Sequence, residues 1–233
     1  MKAVKKSLKK VLCSNKLVLQ YFLIQIMKLH NLCYSWIGRL ACQCSKDAVH
    51  PKHRLLRYHE WFLEHIDQND SVLDIGCGQG MLAYDIAKKV VQVTAVDSNE
   101  ANIAEARLKY FSHNIEYICA DIMHYSIPSA TVAILSNVLE HIEYRDVLLQ
   151  ALHEGKVQKI LVRVPSIERD WLALYKKEMN IEWRLDKTHF IEYTEEQIRH
   201  EIEKAGFMID ICEARFGEYY IVAINNKGVF GGK

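Results

Sequence analysis

The stretch from Val72 to Gly80 reads Val-Leu-Asp-Ile-Gly-Cys-Gly-Gln-Gly, and it constrains the fold more than any other part of the chain. An apolar run ends at an acid, Asp74. Gly76, Gly78 and Gly80 follow on alternate positions, with Cys77 between the first two, and then a helix-compatible segment from Met81 to Val90. Strand, tight glycine turn and helix form the unit that holds a nucleotide at the end of a parallel sheet. Glycine is required where a Cβ would keep the backbone from a ligand or where the turn needs positive φ.

The spacing narrows the ligand. A dinucleotide fingerprint places its third glycine three positions after the second, where a pyrophosphate rests on the helix N-terminus. Here that position is Met81, and no Lys-Ser/Thr pair follows, so a P-loop is excluded. Asp74 would repel a pyrophosphate but suits an ammonium group. The loop therefore fits a nucleoside with a cationic amino-acid tail.

Three further apolar runs end in polar groups. Gln92 to Val96 ends at Asp97 and Ser98, with Asp97 placed to accept two ribose hydroxyls. Tyr117 to Ile122 carries Asp121 and Ile122, an acceptor and a backbone donor for an adenine edge. Val132 to Leu135 runs into Ser136-Asn137-Val138-Leu139-Glu140-His141.

These elements in this order resemble the class I S-adenosylmethionine-dependent methyltransferases, over roughly residues 71–224. The resemblance implies S-adenosylmethionine as cofactor. It implies an α/β, Rossmann-like, seven-stranded mixed sheet of order 3-2-1-4-5-7-6 with the last strand antiparallel and helices on both faces. It also implies cofactor contacts from Asp74, Gly76, Cys77, Gly78, Gly80, Asp97, Ser98, Asp121, Ile122 and Asn137. A helix read over Pro51 to Ile66 would cover the cleft. There Arg57 or Tyr58 either touches the cofactor's carboxylate or lies on a solvated surface.

Charge divides the chain. Residues 1–60 hold 12 Lys/Arg against 2 Asp/Glu, so a basic arm precedes an acidic remainder of 18 against 27. Residues 1–48 read as a basic and apolar helical extension, and 49–233 as the methyltransferase domain with an acceptor-side insertion at about 165–192. Leu17 to Met27 is apolar but interrupted, shorter than the roughly 20 residues of a spanning helix. No small-x-small cleavage site follows it, and export would separate the enzyme from its cofactor. A cytoplasmic location is expected, with the extension packed on the domain, pairing with a second copy, or resting on anionic lipid at the inner membrane face. Seven scattered cysteines read as reduced thiols. Cys42-x-Cys44 near His50 and His53 matches no common zinc spacing, so no metal is assigned.

The transferred methyl would already sit on a strong electrophile, so the chain must align a nucleophile and exclude water. A base helps when the acceptor is a hydroxyl, and His141 and His189 are the candidates. For His141 the alternative is helix capping; for His189 it is a loop histidine satisfied by Asp186. Arg163, Arg169, Trp171 and Arg184 follow the fifth strand and mark a polar acceptor side, able to grip a carboxylate, phosphate or sugar ring. This loop resembles methyltransferase-domain proteins found with bacterial surface-polysaccharide genes. The expected reaction is methylation, favouring oxygen, of a small-molecule, glycan or lipid-linked acceptor. The Asn/Asp-Pro-Pro-aromatic tetrad and the Pro-Cys nucleophile of base methylation are absent, and acidic charge repels phosphate backbones, so nucleic acid is disfavoured. An RNA methyltransferase clamped by the basic arm, or a binding module without turnover, are the rivals.

Overall fold

A computed structural model describes residues 16–45 and 49–226; the lysine-rich run 1–15, with Cys13, lies outside them. The described residues form two compact units. The first holds 16–45, 49–55 and 171–183, and the second holds 56–170 and 184–226.

The first unit is built on α1 (Lys16–Cys44), a 29-residue helix, with α2 (Lys52–Leu56) and α7 (Trp171–Glu178). Leu17, Tyr21, Ile26, Leu29, Leu32, Trp36 and Ile37 on α1 are exposed, and Met27 is its one buried residue. Among the described residues no helix is long and apolar enough to cross a membrane. Inside this unit Lys176 is buried and donates to Asn31 Oδ1 (2.6 Å), and Asn31 Nδ2 donates to the Glu182 carbonyl (2.6 Å). The middle of the segment read as an acceptor-side insertion thus belongs with the N-terminal helix.

The second unit is a seven-stranded sheet of order β3-β2-β1-β4-β5-β7-β6. In chain order its strands are β1 (Ser71–Ile75), β2 (Gln92–Asp97), β3 (Ile115–Cys119), β4 (Val132–Ser136), β5 (Lys159–Pro165), β6 (Phe207–Arg215) and β7 (Glu218–Asn225). β1 to β5 pair in parallel, and β7 runs antiparallel to both β5 and β6. The central strands are largely apolar, as fits a sheet with helices on both faces, with Asp74 and Arg163 as the buried charged exceptions. On one face α3 (Tyr58–Glu64), α4 (Met81–Ala87) and α5 (Glu100–Lys109) bury Trp61, Phe62, Ile86 and Ile103 against Val72, Val93 and Ile134. On the other, α6 (Arg145–Glu154) and α8 (Glu195–Lys204) bury Leu149, Leu152, Ile198 and Ile202 against Leu73, Leu135 and Val162. Thr194 and Gln197 close a capping box at the start of α8, as their spacing foretells.

One boundary differs from the sequence reading. The helix expected over residues 51–66 is two helices, broken at Arg57, whose φ of 50° is left-handed. That conformation costs a non-glycine residue about 1–2 kcal/mol. Burial of Tyr58, Trp61 and Phe62 on the turn that follows offsets it. β6 runs to Arg215, with a bulge between Ile209 and Ile211. The exposed Asp210 at that bulge is compatible with an edge strand.

Candidate active site

The glycine turn is held by the neighbouring strand. Gly76 and Cys77 N–H donate to the Val96 carbonyl (2.8 and 3.1 Å), and Gly78 N–H donates to Asp97 Oδ2 (2.8 Å). Gly76 sits at φ +67°, and a Cβ there would meet Val138 Cγ2 at 2.6 Å; Gly78, at φ +54°, would project its Cβ into open space. The first glycine thus serves packing, and the second keeps a surface bare.

A cavity of about 870 Å³ opens at the carboxyl ends of β1, β2 and β4, within the size range of small-molecule sites. Of the residues expected at the cofactor, Gly76, Asp97, Ser98, Asp121, Ile122 and Asn137 line it, together with His141. Met123, His124, Ile142, Glu143, Tyr144, Val147 and Phe190 line it too, and sequence reasoning missed them. Met123, His124, Ile142, Glu143 and Tyr144 follow the ends of β3 and β4 without a motif, Val147 lies in α6, and Phe190 comes from the loop before α8, so no local pattern signalled them. Cys77 and Gly80 shape the turn instead, and burial pushes the Cys77 thiol up.

Asp74 lies behind the turn, 1% exposed, with Oδ2 buried and without a hydrogen-bond partner. Burial, and then the charge of Asp97, lifts its carboxyl to about 7. An orphaned buried carboxylate oxygen of this kind needs a donor or a cation. Asp97 is partly committed, since its Oδ1 accepts from Asn99 N–H (2.8 Å) and Asn102 Nδ2 (3.3 Å). Its carboxylate still has acceptor capacity beyond these bonds. Asp121 accepts from Met123 N–H (3.0 Å), which with His124 holds its carboxyl below the usual range.

Five expected contacts lie elsewhere. Arg57 is exposed, pairs with Glu60 (3.1 Å) and does not line the cavity, because the left-handed break turns it to solvent. Arg163 is 3% exposed and is structural rather than an acceptor ligand. Its Nε donates to Asn137 Oδ1 (2.7 Å), its guanidinium lies 3.7 Å from the Tyr58 ring centroid, and it faces Glu218 at 3.4 Å. Arg169 is paired with the buried Glu192, and Arg184 donates to the His189 carbonyl (2.7 Å); both brace the loop before α8. Trp171, 72% exposed, opens α7 in the first unit, with its ring near Tyr175.

The two histidines do come together, their rings 4.6 Å apart and edge to face. His141 ends the 3-10 turn Leu139–His141 after β4, and burial, then His189, holds its pKa below the ordinary value. His189 is buried, and its Nδ1 faces Glu192 Oε1 (3.1 Å) rather than the Asp186 side chain. Asn137, at φ 57°, donates through Nδ2 to Glu140 Oε1 (2.9 Å), and burial lifts the Glu140 carboxyl to about 7.

Residues 72–155 match the family described as a methyltransferase domain. Residues 72–155 thus carry a methyltransferase domain. The seven-stranded order with an antiparallel β7 is that of the class I S-adenosylmethionine-dependent methyltransferase fold. It is 40% identical over 74 residues to an uncharacterised methyltransferase of Mycobacterium bovis, covering 31% of this chain and 38% of that protein. It is 32% identical over 126 residues to a ubiquinone biosynthesis O-methyltransferase of Stutzerimonas stutzeri, covering 51% of each. The chain therefore spans well under two thirds of the length of both curated relatives. Its fold is similar to that of magnesium protoporphyrin IX methyltransferase from Synechocystis with bound SAH. That similarity has a TM-score of 0.59 and 18% identity, over 75% of this chain and 83% of that one.

Proposed function

We propose that this chain transfers a methyl group from S-adenosylmethionine to the oxygen of a small acceptor, a free metabolite, a glycan or a lipid-linked precursor. The observation that carries the reading is Asp74: a buried carboxylate with an unpartnered oxygen behind the glycine turn that borders a cavity lined by the acids Asp97, Asp121 and Glu143. S-adenosylmethionine supplies the electrophilic methyl. Asp74 suits its ammonium, Asp97 the ribose, and Asp121 with the Ile122 backbone the adenine edge. The first of these is the interaction that a phosphate-bearing nucleotide would forbid.

The chain's remaining tasks are positioning and proton removal. Asn137 and His141 stand where β4 opens into the cavity. His141, the more exposed of the two histidines, is the group that would take the proton from an acceptor hydroxyl. An O-methyltransferase among the relatives supports oxygen as the acceptor atom.

Titration with S-adenosylhomocysteine should show one site per chain. Incubation of cell extracts with methyl-labelled S-adenosylmethionine should place label in a product stable to mild alkali, as an ether is. No binding heat at millimolar ligand would overturn the cofactor assignment. Label found only in amines would overturn the oxygen acceptor.

A further inference from the structure

Glu140, His141 and His189 each offer one ligand atom, and these atoms lie within 4.8 Å of one another. Two segments some fifty residues apart are tied together to achieve this. Phe190 N–H donates to the Glu140 carbonyl (2.7 Å), and His141 Nδ1 meets Thr188 Oγ1 at 3.0 Å.

Proton bookkeeping fixes both imidazoles. The Thr188 hydroxyl donates to Asp186 Oδ1 (2.9 Å), so toward His141 it must accept, which puts the proton on His141 Nδ1. Glu192 accepts from Arg169 and from the Leu185 N–H, so it is an acceptor for His189 Nδ1–H as well. In the neutral form of each ring the lone pair then falls on Nε2. Carboxylate and hydroxyl partners on Nδ1 are the outer groups that orient metal-bound histidines.

Glu140 gives the second, independent observation. Its side chain is fully buried, Oε1 accepts from Asn137, and Oε2 has no partner. We propose that Glu140, His141 and His189 form a binding site for one borderline divalent transition-metal ion of the zinc type. Two imidazoles and a carboxylate select such an ion over magnesium or calcium. In a tetrahedral site, ligand atoms about 2.1 Å from one ion lie about 3.4 Å apart, so side-chain rotations that bring these atoms together by up to roughly 1.4 Å would close the site. Three protein ligands leave a coordination position open, the hallmark of a site that acts on a ligand rather than one that only holds the fold. Its use on an acceptor oxygen rests on the methyl-transfer reading; metal uptake does not. With the ion bound, His141 Nε2 no longer takes a proton, and the ion itself acidifies the acceptor.

The test is titration of the untagged, metal-stripped full chain with Co²⁺, followed by visible absorption and then by displacement with Zn²⁺. One Co²⁺ per chain is expected, with ligand-field bands and no thiolate charge-transfer band. His141→Ala, at an exposed position, and Glu140→Gln should each weaken uptake at least tenfold while circular dichroism stays unchanged. Thr188→Val, which removes only the Nδ1 partner, should weaken it by roughly 10-fold or more. No bands at millimolar Co²⁺, bands with a thiolate signature, or uptake that survives His141→Ala would overturn the site. Because no methyl donor is present, these results stand apart from the success or failure of the methyltransferase assay.

Discussion

Replacing Asp74 by Asn should stabilise the protein while disabling it. Burial without a partner lifts the Asp74 carboxyl from 3.8 to about 7, which corresponds to roughly 4 kcal/mol of cost when it ionises in the fold. Since the folded pKa is the higher one, the folded chain holds the proton longer than the unfolded chain. Stability contributed here is therefore full below pH 3.8, declines as pH rises through 7, and is level above. Asparagine removes that dependence but keeps a buried amide that costs about 1–3 kcal/mol unless it finds a partner. The stability difference, Asp74→Asn variant minus parent, should thus move in the variant's favour by roughly 3 kcal/mol between about pH 5 and pH 8 and then stay constant. Comparing the two chains by urea denaturation across pH cancels the other titrating groups. In the same variant, affinity for S-adenosylhomocysteine should fall roughly 10- to 100-fold, the weight of a charge-assisted hydrogen bond. In the parent, binding near pH 6.5 should release protons, seen as a binding enthalpy that depends on the buffer. A difference independent of pH, together with undiminished affinity, would refute the placement of a cation beside Asp74.

Gly76→Ala should cost roughly 2–3 kcal/mol in thermal denaturation, since its methyl meets Val138 in a left-handed backbone. Gly78→Arg, whose Cβ meets no atom, should leave the sheet folded and abolish S-adenosylhomocysteine binding; a folded variant that still binds would contradict the bare-surface role. Arg163→Met should lower stability by about 3–5 kcal/mol by stranding Asn137 and Glu218, whereas a normal melting curve with lost activity would return Arg163 to the acceptor. Thr194→Ala should cost about 1 kcal/mol in the same assay through the loss of the α8 cap.

The cofactor half of the site was legible because its chemistry is local. Asp74, the glycines, Asp97 and Asp121 each stand at the end of an apolar run, and a strand end is visible in one dimension. The acceptor half was not. Arg163 reads as a loop arginine from its neighbours, yet it lies on β5 under Tyr58, a residue over a hundred positions away whose ring the sequence does not place. The break at Arg57 was hidden because residues 51–66 keep helical spacing on both sides of it. His189 has Glu192 rather than Asp186 as the partner of its side chain, and only the fold of that loop decides between two acids three residues either side. The convergence of Glu140 with both histidines has no spacing signature at all, since it joins a turn after β4 to the loop before α8.

One buried acid gathers much of that loop. Glu192 receives Arg169 from upstream and, from its own loop, the Leu185 amide and His189, so three groups share one anchor. Substitutions at these positions should behave as one event: after the first has freed the anchor, the next adds little, and double mutants should fall well short of the summed losses. A substitution of Glu192 itself should accordingly release all three contacts at once.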